Sequence, residues 1–186
     1  MRRLVSFNMM TLDGFFEGPN HDINWHNVDD EFNEYAIAQL YTVDTLVFGR
    51  VTCELMASYW PTPEAVQNDP VVANLRNTTP KIVFSRSLSS VDWANTRLLR
   101  GDAVQELATL KQQAGKDLFI FGSANLSASL LAHGMIDEFR VMVNPVLLGR
   151  GTPLFQDVPG PLHLELVNAR TFRNGNVLLT YAFGAG

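Results

Sequence analysis

The sequence predicts an α/β fold in three layers, with a mostly parallel central sheet, helices on both faces and an antiparallel C-terminal hairpin. Three observations lead to this prediction. Short apolar runs alternate with helix-like segments along most of the chain, an order typical of parallel sheets with right-handed crossovers. The last part holds strands alone, and its Asn174-Gly175 pair indicates a tight turn. No linker divides the chain, so we expect a single domain over residues 1–186.

The predicted strands and helices follow from apolar spacing and from capping residues. Continuous apolar runs predict buried strands over residues 3–10, 45–49, 81–85, 117–121 and 138–145. Apolar residues at helical spacing predict helices over 29–41, 50–56, 71–77, 102–114 and 124–133. Asp102 is the predicted N-cap of the fourth helix, and Gly115 and Gly134 are the predicted ends of the last two. The hairpin is predicted over 162–172 and 177–183.

Two segments are predicted as loops. Residues 59–70 are rich in Pro, Asn and Asp. Residues 14–27 form a longer loop, and a loop of more than about a dozen residues in a compact domain is usually functional or disordered. We expect this segment to act as a lid over a ligand, with Trp25 helping to exclude water.

The composition indicates a folded chain and narrows the classes of partner. Hydrophobic residues make up 46% and charged residues 18%, which is typical of a globular protein. The net charge of −5 does not favour binding along a phosphate backbone, so we expect no nucleic-acid partner. A small phosphorylated ligand is still compatible with this charge, because a few local arginines are enough to bind one.

Cysteine usage and the lengths of the apolar runs favour a cytoplasmic protein. The single cysteine, Cys53, rules out an intrachain disulfide and a multi-cysteine zinc site, so we expect no metal and a packing role for this residue. Arg2 and Arg3 precede an apolar stretch, but Ser6 and Asn8 interrupt it, which is unlike a signal peptide. No run approaches the roughly 18 apolar residues of a membrane span, so we expect no membrane segment.

Three strand-to-helix junctions carry residues suited to a ligand. In open α/β sheets, ligands bind at the carboxyl ends of the strands, which is where these junctions lie. The first junction, Gly49-Arg50-Val51-Thr52, offers close backbone approach, a helix N-terminus, a guanidinium and a hydroxyl to a phosphate. A surface turn is the alternative interpretation of this pattern.

The other two junctions offer different chemistry. Ser85-Arg86-Ser87 sets two hydroxyls around one arginine, which suits a phosphate monoester such as that on the adenosine ribose of NADPH; a solvated turn is the alternative. Gly122-Ser123-Ala124-Asn125 has the small residues that close approach of a pyrophosphate or ribose requires, although it is not the G-x-G-x-x-G fingerprint. Together the three junctions indicate an extended ligand with several phosphates.

Seven segments of the sequence together match one known family. They are Thr11-Leu12-Asp13-Gly14, Trp25, Phe48-Gly49-Arg50-Val51-Thr52, Val83-Phe84-Ser85-Arg86, Phe121-Gly122-Ser123-Ala124, Ile136-Asp137-Glu138 and the run from Asn144 to Phe155. In these segments the chain resembles the dihydrofolate-reductase-like proteins, specifically the reductase domain of bacterial riboflavin biosynthesis proteins. The match covers nearly the whole chain, and it implies a dihydrofolate-reductase-like form of the three-layer fold.

The resemblance implies an NADPH site at the three junctions. Arg50 and Thr52 would hold the cofactor phosphates, and Ser85 and Arg86 would lie near the 2′-phosphate. The other cofactor-binding positions would be Gly49, Gly122, Ser123, Ala124 and Asn125.

The resemblance also implies residues on the substrate side. Folate-reducing relatives carry an acidic residue at the start of the first helix, and Asp30 has the spacing for that role, with Asp29 and Glu34 as rivals. Asp13 is the second candidate catalytic residue, since it would order its loop and line the substrate pocket. A helix-dipole role for Asp30 and a turn-forming role for Asp13 are the alternatives. The candidate substrate-binding residues are Asn8, Trp25 and Glu34.

The expected function is hydride transfer from NADPH to a C=N or C=O group of a small heterocyclic or ribosylated substrate, either pterin-like or similar to a riboflavin precursor. The sequence lacks the zinc-deaminase motif that often accompanies the riboflavin-pathway reductase. Two alternatives stay open: a non-catalytic nucleotide- or pterin-binding module, and a flavin- or antibiotic-modifying enzyme with a degenerate nicotinamide site. By resemblance we also expect a homodimer, which would cover the apolar edge hairpin.

Overall fold

The computed structural model describes residues 1–156, 158 and 160–183 of the chain. The predicted domain over 1–186 also includes residues 157, 159 and 184–186, which lie outside the described part. In chain order the strands are β1 (Leu4–Thr11), β2 (Phe15–Glu17), β3 (Val43–Gly49), β4 (Lys81–Phe84), β5 (Thr96–Leu99), β6 (Asp117–Phe121), β7 (Glu138–Asn144), β8 (Thr152–Pro153), β9 (Leu164–Thr171) and β10 (Val177–Phe183). The helices are α1 (Asp30–Thr42), α2 (Arg50–Tyr59), α3 (Pro63–Asn68), α4 (Pro70–Thr78), α5 (Ala103–Gln112) and α6 (Ala124–Ala132).

Eight strands form one sheet in the order β5-β4-β3-β6-β1-β7-β10-β9. The pairings from β5 to β7 are all parallel, whereas β10 runs antiparallel to both β7 and β9. Gly175, at a φ of 89°, provides the positive dihedral angle that the tight turn between β9 and β10 requires. The predicted mostly parallel sheet with an antiparallel C-terminal hairpin is therefore confirmed.

The two faces of the sheet pack against different helices, because successive side chains of a strand point to opposite sides. Val5, Phe7 and Phe119 share one apolar core with residues of α1, α2 and α4, and we call this side the first face. Leu4 and Leu118 share a second core with residues of α5 and α6. The predicted helices on both faces are thus present, and they give the fold its three layers.

Cys53 lies in the core of the first face. Burial raises the pKa of its thiol to about 11, so the thiolate is scarce at neutral pH. Within the described residues, no helix combines the length and the apolar character that a membrane crossing requires.

Short elements differ from the sequence prediction. Residues 14–27 contain β2, which pairs with β8, and a 3-10 turn over Pro19–His21, so the segment is more ordered than a plain loop. Residues 59–70 contain α3, which Thr62 caps by accepting a hydrogen bond from the backbone N–H of Ala65. The fifth strand, β5, was not predicted, because four residues that include the exposed Arg97 give too little apolar pattern.

Ion pairs cluster where the parallel strands begin, at the amino ends of β1, β3, β6 and β7. Arg2 pairs with Asp44, and Arg3 lies 2.6 Å from a carboxylate oxygen of Asp117. The other pairs are Arg3–Glu138, Lys111–Asp137 and Arg140–Glu138. Five ion pairs within the described residues therefore lie at this end of the sheet.

Candidate functional site: a cleft at the carboxyl ends of the strands

The predicted junctions meet in space at the carboxyl ends of β4, β3 and β6. These strands are neighbours in the sheet, and Gly49 at the end of β3 is in register with Phe84 at the end of β4. A cleft of about 1300 Å³ opens there and extends into the first face of the sheet. Because a pocket for one small molecule is typically about 300–1,000 Å³, this cleft has room for more than one ligand.

The cleft has two parts of different chemistry. The inner cleft is lined by buried residues of the first face and its helices: Phe7, Met9, Ala36, Gln39, Arg76 and Phe121. The outer cleft is lined by the junction residues Gly49, Arg50, Thr52, Gly122, Ser123, Ala124 and Asn125. The inner part is mainly apolar, whereas the outer part exposes backbone and polar groups.

Two helices begin at the outer cleft without a side-chain cap. The N-cap residue of α2 is Gly49, which has no side chain. The N-cap residue of α6 is Ser123, whose side chain accepts no hydrogen bond from its own helix. By contrast, Asp29 caps α1 and Asp102 caps α5 through their carboxylates. The first-turn N–H groups of α2 and α6 therefore remain available to an anion, which the helix dipole also favours.

Hydrogen bonds between Thr52 and Ser123 hold the two helix N-termini together. The hydroxyl oxygen of Thr52 accepts from both the backbone N–H and the hydroxyl of Ser123, each at 3.0 Å. The Ser123 hydroxyl oxygen in turn accepts from the backbone N–H of Gly49 at 2.8 Å. In this arrangement the Thr52 hydroxyl uses its oxygen as an acceptor, and its own proton can be donated into the cleft.

Gly122 and Ser123 both adopt left-handed backbone conformations, with φ values of 59° and 58°. A Cβ atom at position 122 would lie 3.3 Å from the Phe16 ring and from the Thr52 methyl group, which is tighter than ordinary packing. Glycine is therefore required at 122 by both dihedral angle and space. The left-handed Ser123 is a strained conformation for a residue with a Cβ, and such strain is concentrated at functional sites.

The sequence prediction missed Arg76, a buried cation on α4 that lines the inner cleft. Its guanidinium carbon lies 4.3 Å from the centre of the Phe121 ring and 4.8 Å from that of Trp60. Burial lowers the pKa of Arg76 to about 10, so the group is still charged at neutral pH. Helical spacing from the buried Val72 and Ala73 places Arg76 on the inward face of α4, and this was the signal available in the sequence.

Two histidines of the 14–27 segment also line the cleft, and neither was predicted. His21 contacts Glu17 at 2.8 Å, and Glu17 also accepts a hydrogen bond from the Thr152 hydroxyl at 3.0 Å. His26 packs edge-on against the ring of Trp25, with 4.5 Å between ring centres. Burial lowers the pKa of His26 to about 4, so its ring is neutral at physiological pH.

The two predicted catalytic carboxylates lie outside the cleft wall as the described residues form it. Asp13 accepts from the Thr11 hydroxyl at 2.6 Å and from the backbone N–H groups of Leu148 and Gly149. The hydrogen bond from Thr11 is the main cause of its lowered pKa. Asp30 is the exposed first residue of α1, beside the N-cap residue Asp29.

The predicted substrate-binding residues are dispersed. Asn8 is buried on β1, where its amide donates to the Ser6 hydroxyl at 3.1 Å. Trp25 packs against the core of the first face, and its ring N–H donates to the backbone carbonyl of Asp22 at 3.1 Å. Glu34 is exposed on α1.

The Ser85 and Arg86 pair lies at the end of β4, directly beside the first junction. The Ser85 hydroxyl oxygen accepts from the backbone N–H groups of Ser87 and Leu88 at 3.2 and 3.1 Å. Arg86 is exposed. The structure therefore brings the predicted cofactor-binding residues of the first and third junctions to one cleft, with Ser85 and Arg86 next to it.

Comparison with known proteins gives a consistent family and fold. A family model described as the RibD C-terminal domain matches residues 2–178. The uncharacterized protein YyaP of Bacillus subtilis (strain 168) is 35% identical over 183 residues, which cover 97% of this chain and 94% of that protein.

Solved structures agree with this assignment. A candidate riboflavin biosynthesis protein from Shewanella sp. PV-4 superposes with a TM-score of 0.75 at 24% identity, covering 97% of this chain and 98% of that one. Dihydrofolate reductase from Enterococcus faecalis, complexed with NADP(H) and RAB-propyl, superposes with a TM-score of 0.66 at 16% identity, covering 98% and 96%. These matches confirm the resemblance and the dihydrofolate-reductase-like fold that the sequence predicted.

Proposed function

The chain belongs to the RibD C-terminal domain family, and from this premise we propose that it is a cytoplasmic NADPH-dependent reductase of a small heterocyclic or ribosylated substrate. The fold is of the reductase type. The proposed reaction is hydride transfer to a C=N or C=O carbon of a pterin-like substrate or one similar to a riboflavin precursor. The observation that carries the proposal is the pair of uncapped helix N-termini, α2 and α6, that open side by side on one cleft.

The outer cleft supplies the groups that a dinucleotide requires. The first-turn amides of α2 and α6, the Thr52 hydroxyl and the guanidinium of Arg50 suit the pyrophosphate. Arg50 lies 2.9 Å from Glu54 in an exposed ion pair that contributes little stability, so it can exchange Glu54 for a phosphate at low cost. In the proposal, Ser85 and Arg86 bind the 2′-phosphate and thereby select NADPH over NADH.

The inner cleft supplies the dry environment that hydride transfer requires. When bound, the nicotinamide supplies the hydride. Phe7, Phe121 and Trp60 offer apolar ring faces against which a flat substrate can stack, and they keep water out. Gly122, Ser123, Ala124 and Asn125 line the outer cleft directly after Phe121 of the inner cleft, so they are suited to position the cofactor beside the substrate.

The acid and substrate assignments are separate parts of the proposal. Asp30 would deliver a proton through an ordered water, because its side chain is exposed rather than on the cleft wall. Asp13 would act as a positioning residue, since its carboxylate binds the backbone of the 148–149 turn. The substrate-side assignments remain Asn8, Trp25 and Glu34.

Titration with NADPH and, separately, NADH tests the cofactor site, with the fluorescence of Trp60 in the cleft as the signal. We expect tighter binding of NADPH, and a loss of about tenfold in affinity for Arg50→Ala and for Arg86→Ala. Arg97→Ala, at an exposed arginine of β5, is the matched control and should bind like the wild type. Equal affinity for the two nucleotides in all four proteins would contradict the proposed 2′-phosphate site.

The second candidate function is a non-catalytic nucleotide- or pterin-binding module. The observation in its favour is that neither Asp13 nor Asp30 is among the described residues of the cleft wall. This alternative expects NADPH to bind without oxidation in the presence of any pterin or ribosylated pyrimidine. Stopped-flow absorbance of bound NADPH, followed after mixing with each substrate, separates binding alone from turnover.

We also propose that the protein forms a homodimer through β9. All eight residues of this edge strand are exposed, among them Leu164, Leu166 and Val167. An exposed apolar edge strand is a template for pairing with another strand, and covering it would remove that hazard. Light scattering during size-exclusion chromatography measures the mass, and Val167→Lys should shift a dimer toward the monomer.

A further inference from the structure

Arg76 places a positive charge in the wall of the inner cleft, and no carboxylate of the described residues pairs with it. The residue is only 7% exposed, and within the described residues it takes part in no ion pair. The one hydrogen-bond contact of its side chain in that part of the chain runs from Nη1 to the sulfur of Met56, at 3.9 Å, and its Nε–H is buried with no acceptor there. A thioether is a weak acceptor, so the guanidinium keeps most of its capacity to donate.

A buried charge of this kind lowers the stability of the folded protein, which is unfavourable unless the charge has a function. Burying a charge without a partner is unfavourable, because the lost hydration is not replaced. Cation–π contacts with the rings of Trp60 and Phe121 offset part of this unfavourable free energy, and they also orient the plane of the guanidinium. An anionic group that enters the cleft with the ligand would supply the missing partner.

A second donor in the same cleft also lacks an acceptor. The amide oxygen of Gln39 accepts a hydrogen bond from Arg140 at 3.0 Å, which fixes the orientation of the side chain. Its Nε2 group is then buried without a partner in the described residues, and Gln39 lines the inner cleft like Arg76. Two unused donors among the residues that line one cleft favour a ligand that brings acceptor oxygens.

We propose that Arg76 and Gln39 form the recognition site for a carboxylate, and that the substrate of this cleft is a planar aromatic or heteroaromatic ring bearing that carboxylate. The proposal deepens the proposed reductase function and rests on it for the reaction. We infer an aromatic ring in the ligand because Phe7 and Phe121 of the inner cleft, together with Trp60, give the cleft an apolar and aromatic lining.

The donor set favours a carboxylate over a phosphate monoester. In the described lining of the inner cleft, Arg76 is the cation, and the guanidinium fork matches the two oxygens of a carboxylate. A phosphate dianion generally draws on several charges and helix amides, and those lie in the outer cleft at α2 and α6. The two parts of the cleft thus differ in the anion that they suit.

Benzoate, benzamide and phenyl phosphate form a probe set that separates these chemistries, with Trp60 fluorescence or calorimetry as the readout. We expect wild-type protein to bind benzoate about tenfold more tightly than neutral benzamide, and more tightly than phenyl phosphate. Arg76→Met should lose that preference, since it removes the charge and keeps an apolar side chain of similar length. Gln39→Leu should reduce benzoate affinity by a smaller factor.

Controls keep the result independent of folding and of the reductase proposal. Thermal unfolding should show that Arg76→Met is folded, because the substitution removes a buried charge that has no ion-pair partner among the described residues. If that variant fails to fold, the affinity ranking of the three probes on wild-type protein and on Arg76→Lys tests the proposal. Equal affinity for benzoate and benzamide, tighter phenyl phosphate, or an unchanged preference in folded Arg76→Met would overturn the site. NADPH is titrated in parallel: benzoate binding that depends on Arg76 without NADPH binding would sustain the carboxylate site and reject the reductase.

Discussion

The two ends of the parallel strands differ in whether their buried arginines form ion pairs. At the amino ends, Arg2, Arg3 and Lys111 each contact a carboxylate. At the carboxyl ends, Arg76 is buried without an ion pair in the described residues, and two helices begin without side-chain caps. At the amino ends these three cations are thus paired within the chain, whereas at the carboxyl ends a buried guanidinium and two helix N-termini leave donors for a ligand.

Two arginines make this comparison quantitative, because Arg2 and Arg76 are equally buried, each 7% exposed. The guanidinium of Arg2 donates to Asp44, to the Thr45 hydroxyl at 2.9 Å and to the backbone carbonyl of Lys116 at 2.5 Å. In the described part of the chain, the guanidinium of Arg76 makes cation–π contacts with two aromatic rings and one weak hydrogen bond, to the Met56 sulfur. Because burial is equal and pairing is not, we expect Arg2 to stabilise the fold and propose that Arg76 binds a ligand.

The largest expected effect is on stability when each arginine is replaced by methionine. Arg2→Met should lower the free energy of unfolding by about 2–3 kcal/mol, less than for a fully buried pair because Asp44 is 39% exposed. Arg76→Met should leave it unchanged or raise it by about 1 kcal/mol, since no partner is left unpaired. Urea unfolding of both variants gives the comparison. A large loss of stability in Arg76→Met would assign Arg76 to the fold instead.

The sheet could be predicted from sequence because its evidence is local. The central strands are continuous apolar runs, and the Asn174-Gly175 pair fixes the hairpin turn. The positions of the three junctions follow from the rule that parallel strands end at one edge, but their adjacency depends on the order β4-β3-β6, which no local pattern encodes. The cap of α1 was equally ambiguous, since Asp29 and Asp30 are adjacent and only the backbone shows that Asp29 accepts the hydrogen bond.

A smaller effect is expected from the pH dependence of stability, through His26 in the cleft. Burial lowers the pKa of folded His26 from 6.5 to about 4, so between these values the unfolded chain binds a proton that the folded chain does not. Stability should therefore fall as the pH drops from 6.5 to 4, by about 2 kcal/mol for this residue.

Urea unfolding of the wild type and of His26→Gln across that range measures the effect. The wild type should lose stability relative to the variant as the pH falls, and His133→Gln, at an exposed histidine outside this cleft, controls for the substitution itself. Parallel curves for the wild type and His26→Gln would show that His26 is not buried in a neutral form.

The chemistry of the inner cleft could not be predicted from the sequence, because it depends on which polar groups have no partner among the described residues of the folded chain. In the sequence Arg76 resembles any helical arginine. Only the structure shows that Trp60 and Phe121 pack around it and that no carboxylate among the described residues pairs with it. Similarly, Asp13 was expected near the substrate, yet its carboxylate is used by the backbone of Leu148 and Gly149, more than a hundred residues further along the chain.

The smallest expected effect uses two glycines with nearly the same dihedral angle. Gly122 has a φ of 59° and lies in the cleft, whereas Gly134 has a φ of 63° and open space around it, with no atom within 4 Å of the point where a Cβ would lie. Alanine at 134 should cost about 1 kcal/mol in unfolding free energy, because a left-handed conformation is unfavourable for a residue with a Cβ, and alanine at 122 should cost somewhat more because of its close contacts. Only Gly122→Ala should also weaken NADPH binding, by several-fold. Its methyl group would displace Phe16 and the Thr52 side chain, and Thr52 joins the two helix N-termini. Equal NADPH affinity in the two variants would contradict the proposed binding of the cofactor phosphates at the α2–α6 junction.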